Sequence, residues 1–126
     1  MTELIVGSRG SGKTTELIKR SARDGVYIMT GTRRQAQCIF QQARDMGYNI
    51  PYPVTIEDYH RTHFRGSCLW RDGILIDELG TILSYMFSGL PINGVTWTKN
   101  EFTDLDLENH INPWPKKNPY LYEKEE

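Results

Sequence analysis

Residues 7–14 read Gly-Ser-Arg-Gly-Ser-Gly-Lys-Thr, directly behind the apolar run Leu4-Ile5-Val6. This spacing, Gly-x-x-x-x-Gly-Lys-Thr, constrains the fold more than any other stretch of the chain. A loop so rich in glycine can wrap closely round an anion, because few side chains obstruct its backbone. Its N–H groups then converge on that anion. A helix starting where the loop ends adds its positive N-terminus to the same place. Both flanks that such a loop needs are predicted. Residues 3–6 read as a short buried strand, and residues 13–24 as a helix capped by Gly25.

The spacing is that of a phosphate-binding P-loop. On this reading Gly7, Ser8, Arg9, Gly10, Ser11, Gly12, Lys13, Thr14 and Thr15 line the site for ATP. Lys13, taken as catalytic, bridges the β- and γ-phosphates, and the Thr14 hydroxyl ligates Mg²⁺. A second stretch, Ile74-Leu75-Ile76-Asp77-Glu78, is an apolar strand ending in two carboxylates. It has the form of a Walker B strand. Asp77 holds Mg²⁺, and Glu78 orients or deprotonates an attacking water as the second catalytic residue. The sequence contains no Asn-Lys-x-Asp run to read guanine, which favours ATP over GTP.

The rest of the first hundred residues alternates strand and helix. A second strand is expected over residues 26–29. Thr32 and Gln35 fit a capping box at the start of the next helix. Ala36, Ile39, Phe40, Ala43 and Met46 follow at helical spacing as its core stripe, and Gly47 ends it. Pro51 and Pro53 make a connector. A strand is expected over residues 54–56, with Glu57 and Asp58 opening a helix. Residues 81–87 read as helix, and residues 92–98 as a last strand with Trp97 in the core. Thr96 and Thr98 at its end are candidates for a γ-phosphate sensor. Alternation of this kind implies parallel strands joined by crossover helices. The expected fold is therefore α/β: a three-layer, RecA-like P-loop NTPase of the additional-strand, catalytic-glutamate kind. Its nucleotide is expected at the C-terminal ends of the strands carrying Gly7 and Asp77.

That domain is assigned residues 1–98. From residue 99 the character changes. Residues 101–108 alternate apolar and acidic side chains, and Asn112-Pro113-Trp114-Pro115 and Asn118-Pro119-Tyr120 are rich in turn formers. Residues 99–126 are read as an acidic, proline-containing, irregular arm that lies over the domain or on a partner, with Trp114 at the contact.

Charge divides the same way. Residues 1–71 carry 11 Lys and Arg against 6 Asp and Glu, whereas residues 72–126 carry 4 against 10. A basic half can meet nucleic acid through non-specific phosphate contacts, although solvated helix faces are the plainer explanation of its arginines. With 126 residues the chain can bury one core. No apolar run is long enough to span a membrane, and Met1-Thr2-Glu3 leads straight into a strand rather than a basic-then-apolar leader. Cys38 and Cys68 are isolated and read as reduced thiols. These features predict a cytoplasmic protein with no membrane partner, in the host cytoplasm if the chain is viral. His60 and His63, three apart, read as surface or packing histidines, since no fourth metal ligand accompanies them and Cys68.

The order of features resembles the first RecA-like half of superfamily 1 helicases over residues 3–98. The likeness rests on the P-loop, on Asp77-Glu78 and, more loosely, on Thr30-Gly31-Thr32-Arg33-Arg34-Gln35-Ala36, which is similar to the helicase motif Ia. The helicase glutamine after the Asp-Glu pair is replaced by Leu79-Gly80, and the second RecA-like half with its arginine finger is missing. The chain therefore resembles the small stand-alone P-loop ATPases of bacteriophages. That resemblance implies an ATPase of low or partner-dependent activity, with a place in phage DNA metabolism. Its arginine finger would come from a protein partner or a second copy, with Arg33, Arg34, Arg61 and Arg65 as candidates. A rival likeness lies in Ser11-Gly12-Lys13-Thr14-Thr15-Glu16-Leu17, similar to the loop of type II thymidine kinases, which implies a nucleoside or nucleotide kinase. That family's zinc-holding lasso with paired cysteines has no counterpart here. A third reading is a nucleotide-bound interaction module that hydrolyses nothing.

Overall fold

The computed structural model of the protein describes residues 2–98 and 102–108. It is an α/β structure built on parallel strands. The chain divides into two compact units: residues 14–96, and residues 1–13 together with 97–126.

The first helix, α1 (Lys13–Asp24), which lies in the larger unit from Thr14 on, buries Leu17, Ile18 and Ser21. Its end is fixed by two bonds. The Gly25 N–H donates to Ser21 O at 2.8 Å, and the Ser21 hydroxyl donates to Val26 O at 2.6 Å. Gly25 sits at φ +73°, the left-handed conformation that lets a chain leave a helix abruptly. The strand that follows, β2 (Tyr27–Thr30), is the centre of a three-stranded parallel sheet. On one side lies β3 (Val54–Thr55), in register Met29↔Val54, and on the other β4 (Ile74–Ile76), in register Tyr27↔Ile74 and Met29↔Ile76. A central parallel strand is covered on both faces, so Ile28, Met29 and Thr30 are all buried.

Helix α2 (Arg33–Asp45) connects β2 to β3. Its start is the expected capping box: the Gln35 N–H donates to Thr32 Oγ1 at 3.1 Å, and the Thr32 N–H donates to Gln35 Oε1 at 3.2 Å. Ala36, Ile39 and Ala43 face the core, but the expected stripe ends there. Met46 is the helix cap and stands exposed, because the turn at Gly47 (φ +83°) ends the periodicity that would have carried it inward.

A second capping box opens α3 (Ile56–Thr62). The Asp58 N–H donates to Thr55 Oγ1 at 3.1 Å and the Thr55 N–H donates to Asp58 Oδ2 at 3.0 Å. The short α4 (Leu69–Asp72) precedes β4, and α5 (Leu79–Met86) follows it. Met29, Ile56 and Ile82 form one core cluster of this unit, with Val54, Tyr59, Phe64 and Ile74 packed against them.

The strand expected over residues 92–98 is not formed. Pro91 lacks the N–H a ladder requires and Gly94 weakens the segment's interior. Its apolar side chains are left out, with Ile92, Val95 and Trp97 all exposed. Trp97, read as core, is 40% accessible.

In the smaller unit β1 (Leu4–Val6) pairs in parallel with β5 (Phe102–Asp104), in register Leu4↔Phe102 and Val6↔Asp104. The Thr103 hydroxyl donates to Glu3 Oε2. One helical turn, α6 (Leu105–Glu108), follows at once. Residues 102–108, assigned to an irregular arm, are thus ordered as strand and helix. The single expected sheet is, among the described residues, two ladders, since β1 has β5 as its partner. Residues 99–101 and 109–126 of the expected arm, including Trp114, lie outside the described residues.

The second capping box gives a pH test. Burial alone would raise the Asp58 carboxyl. The Thr55 amide, the Arg61 guanidinium at 2.7 Å and the Thr55 hydroxyl outweigh it and hold the group below its ordinary value of 3.8. A depressed carboxyl stabilises the fold above the unfolded-state value and loses that contribution as pH falls through the folded one. Asp58→Ala should cost about 1 kcal/mol at neutral pH. The gap to wild type, measured as urea midpoints, should close as the pH is taken below 3.8.

Candidate functional site

The glycine-rich loop occupies residues 7–12 between β1 and the first turn of α1. A Cβ at Gly7 would overlap the Ser11 hydroxyl, which would have to move, and would lie 3.0 Å from Ser11 Cβ. Gly12 sits at φ +98°, closed to other residues at acceptable cost. The loop folds on itself, the Ser11 N–H donating to Ser8 O at 3.1 Å.

Lys13 is half-buried and turns back over the loop. Its ammonium donates to Gly7 O and to Ser8 O, both at 2.9 Å. These bonds use two of its three donors. On the other side of Ser8 stands a residue the sequence reading passed over. Asp106, on α6, is 1% exposed. It accepts from the Ser8 N–H at 2.8 Å and from the Ser8 hydroxyl at 3.0 Å. Its own N–H donates to Asp104 Oδ1 at 3.0 Å. Only the alternation Asp104-Leu105-Asp106-Leu107 hinted at it, and alternation alone places the acids on the wet face.

In the larger unit Thr14, the second residue of α1, meets Asp77. The Thr14 hydroxyl lies 3.1 Å from Asp77 Oδ1 and 3.4 Å from Oδ2, across 63 positions of sequence. Asp77 is held by the sheet itself, because its N–H donates to Met29 O at 3.0 Å and so continues the β2–β4 ladder by one bond. Both residues are half-buried. A hydroxyl and a carboxylate are hard oxygen donors. They suit a small divalent cation such as Mg²⁺, which takes one or two protein oxygens and keeps several waters.

Glu78 follows at φ +60°, ψ +72°, left-handed backbone in a residue with a Cβ. It caps α5 by its carbonyl, which accepts from the Thr81 N–H at 3.0 Å, and not by its side chain. The residue is exposed, leaving its carboxylate available to a ligand.

Arg9 and Gly10 are exposed on the loop. The Thr15 hydroxyl lies 3.4 Å from Gln42 Nε2 of α2, whose amide donates to it. Thr96 and Thr98 end no strand. Among the arginines offered as fingers, Arg61 is engaged by Asp58, and Arg33 lies 3.9 Å from Glu57. Arg34 and Arg65 stand exposed. His63 turns its ring edge to Tyr59 at 4.8 Å, and no cluster of His, Cys, Asp or Glu able to hold a metal occurs among the described residues. Among those residues no helix is long and apolar enough to cross a membrane.

No protein family, curated protein or solved structure matches this chain.

The left-handed backbone at Glu78 gives a stability test that needs no ligand. A non-glycine residue pays roughly 1–2 kcal/mol there, and glycine returns part of that gain as unfolded-state entropy. Glu78→Gly should therefore stabilise the protein by about 0.5–1 kcal/mol in chemical denaturation. Glu78→Ala, which keeps the Cβ, should not.

Proposed function

We propose that this protein binds Mg·ATP through the loop at residues 7–15 and hydrolyses it, with a turnover that depends on assembly or on a partner. The observation that carries the reading is the Thr14–Asp77 contact. Two residues singled out for the same ion, one behind the glycine-rich loop and one at a strand end, meet at hydrogen-bonding distance in a chain that could have placed them anywhere. The fit of the loop supports it, since a Cβ at Gly7 would crowd Ser11 and Lys13 supplies a cation held by backbone oxygens. Held by Thr14 and Asp77, Mg²⁺ would offset the phosphate charge of a nucleotide it accompanies.

The chain's own groups have separate tasks in this reading. Loop N–H groups and the α1 N-terminus hold phosphate oxygens. Lys13 exchanges carbonyl oxygens for the outer phosphates. Glu78, exposed and set apart by its backbone, takes or orients the proton of an attacking water. The exposed Arg34 and Arg65 are the freest to act across an assembly contact, and a finger supplied in trans makes turnover concentration-dependent.

Phosphate release from Mg·ATP over a series of protein concentrations tests this. Turnover per chain should climb with concentration. Glu78→Gln should reduce it by about 10²–10⁴-fold while nucleotide binding persists. Lys13→Ala and Asp77→Asn should each weaken Mg·ATP binding. A wild-type protein that binds no nucleotide ends the reading. Binding without release, converted to ATP consumption by an added nucleoside, would replace it with a kinase.

A further inference from the structure

Asp106 and Lys13 grip opposite ends of one peptide unit. The Gly7–Ser8 peptide presents its N–H to the Asp106 carboxylate at 2.8 Å and its C=O to the Lys13 ammonium at 2.9 Å. In a trans peptide those two groups point in opposite directions, so fixing one fixes the other. The peptide dipole lies between a negative charge on its donor side and a positive charge on its acceptor side. Each charge-assisted bond polarises the amide in the sense that strengthens its partner.

We infer that Asp106 is a positioning residue for Lys13, acting through the Gly7–Ser8 peptide. The carboxylate holds the N–H, the carbonyl is thereby turned to the lysine, and the ammonium rests against the loop. The arrangement around it is specific. Asp106 is almost wholly buried, both its oxygens are engaged by Ser8, and its backbone is tied to Asp104. β5 holds that segment to β1, the strand from which the loop departs. Asp106, on α6, thus joins Lys13 in shaping the loop. The consequence for catalysis rests on Lys13 being the residue that reads phosphate. The positioning itself does not.

The test is competitive acetylation of the nucleotide-free protein with acetic anhydride, read by peptide mass spectrometry. The measure is the labelling of Lys13 relative to Lys19, which is exposed on the same helix. Asp106→Ala should raise the ratio by at least about threefold, because the carbonyl that retains the ammonium is no longer held. Asp106→Asn keeps an acceptor for the Ser8 N–H without the charge and should fall between, and it is the variant to read if Asp106→Ala does not fold. Ser8→Ala removes only the hydroxyl bond and should stay within about twofold of wild type. A general loosening of the fold would raise both lysines together. An unchanged ratio in a folded Asp106→Ala protein, by circular dichroism, overturns the inference. In parallel, Mg·ATP affinity should fall about tenfold in Asp106→Ala. If wild type binds no ATP yet the ratio shifts as described, the functional reading fails and the positioning role stands.

Discussion

The ladder between β2 and β4 is the interaction on which the larger unit depends. β2 is buried along most of its length, and its backbone must be paired on both edges or pay for unmet hydrogen bonds. β4 meets one edge in strict register, and the bond from the Asp77 N–H to Met29 O carries the pairing one residue past the strand. That single bond fixes where Asp77 stands. Because Asp77 is fixed, its carboxylate meets the Thr14 hydroxyl and the chain must turn within one residue to start α5. α5 in turn delivers Ile82 to the core with Met29 and Ile56. The candidate ion ligand is therefore a by-product of the most constrained ladder in the structure, not of a mobile loop.

The polar contacts of the molecule differ sharply in what they can do. Arg23–Asp24 and Arg71–Asp72 are sequence neighbours on the surface, with Arg23 68% and Arg71 76% exposed. Such pairs are screened by water and contribute little to stability. The Asp106–Ser8 and Lys13–Gly7 bonds involve a buried carboxylate and a half-buried ammonium, each bonded to backbone. Their geometry is short, directed and shared through one amide. Conformation of the loop follows from these few bonds and from the absence of a Cβ at Gly7, not from the number of charges nearby.

What could be read from the sequence was local. The Thr32–Gln35 box, the glycine exits at Gly25 and Gly47 and the apolar strand before Asp77 each depend on residues within four positions of one another. What escaped was non-local. Nothing in Phe102-Thr103-Asp104 announces that it will pair with a strand some hundred residues earlier, and its acidic alternation suggests a solvated arm. Conversely, residues 92–98 carry the β-branched and aromatic side chains of a strand, yet Pro91 and Gly94 leave them no ladder to join. Asp106 was lost for the same reason. An aspartate is ordinarily exposed, and only the pairing of β5 with β1 brings it under Ser8.

Glu78 shows how such a conflict can be informative. A chain that needs a left-handed residue between β4 and α5 is served best by glycine, and one stands two positions later at Gly80. Instead the position holds a glutamate whose side chain caps nothing. Capping does not account for that choice, since the carbonyl alone supports α5 through Thr81 and Ile82. His63, Phe64 and Ser88 hold the same left-handed backbone without glycine, so the strain at Glu78 becomes a functional signal only under the proposed reading, in which its side chain does chemistry. The neighbouring Asp77 lies in ordinary ladder geometry and meets Thr14. The two acids are thus divided by environment, one anchored and half-buried beside a hydroxyl, the other exposed on strained backbone. Were Mg·ATP bound as proposed, that division would suit the first to the cation and the second to a proton.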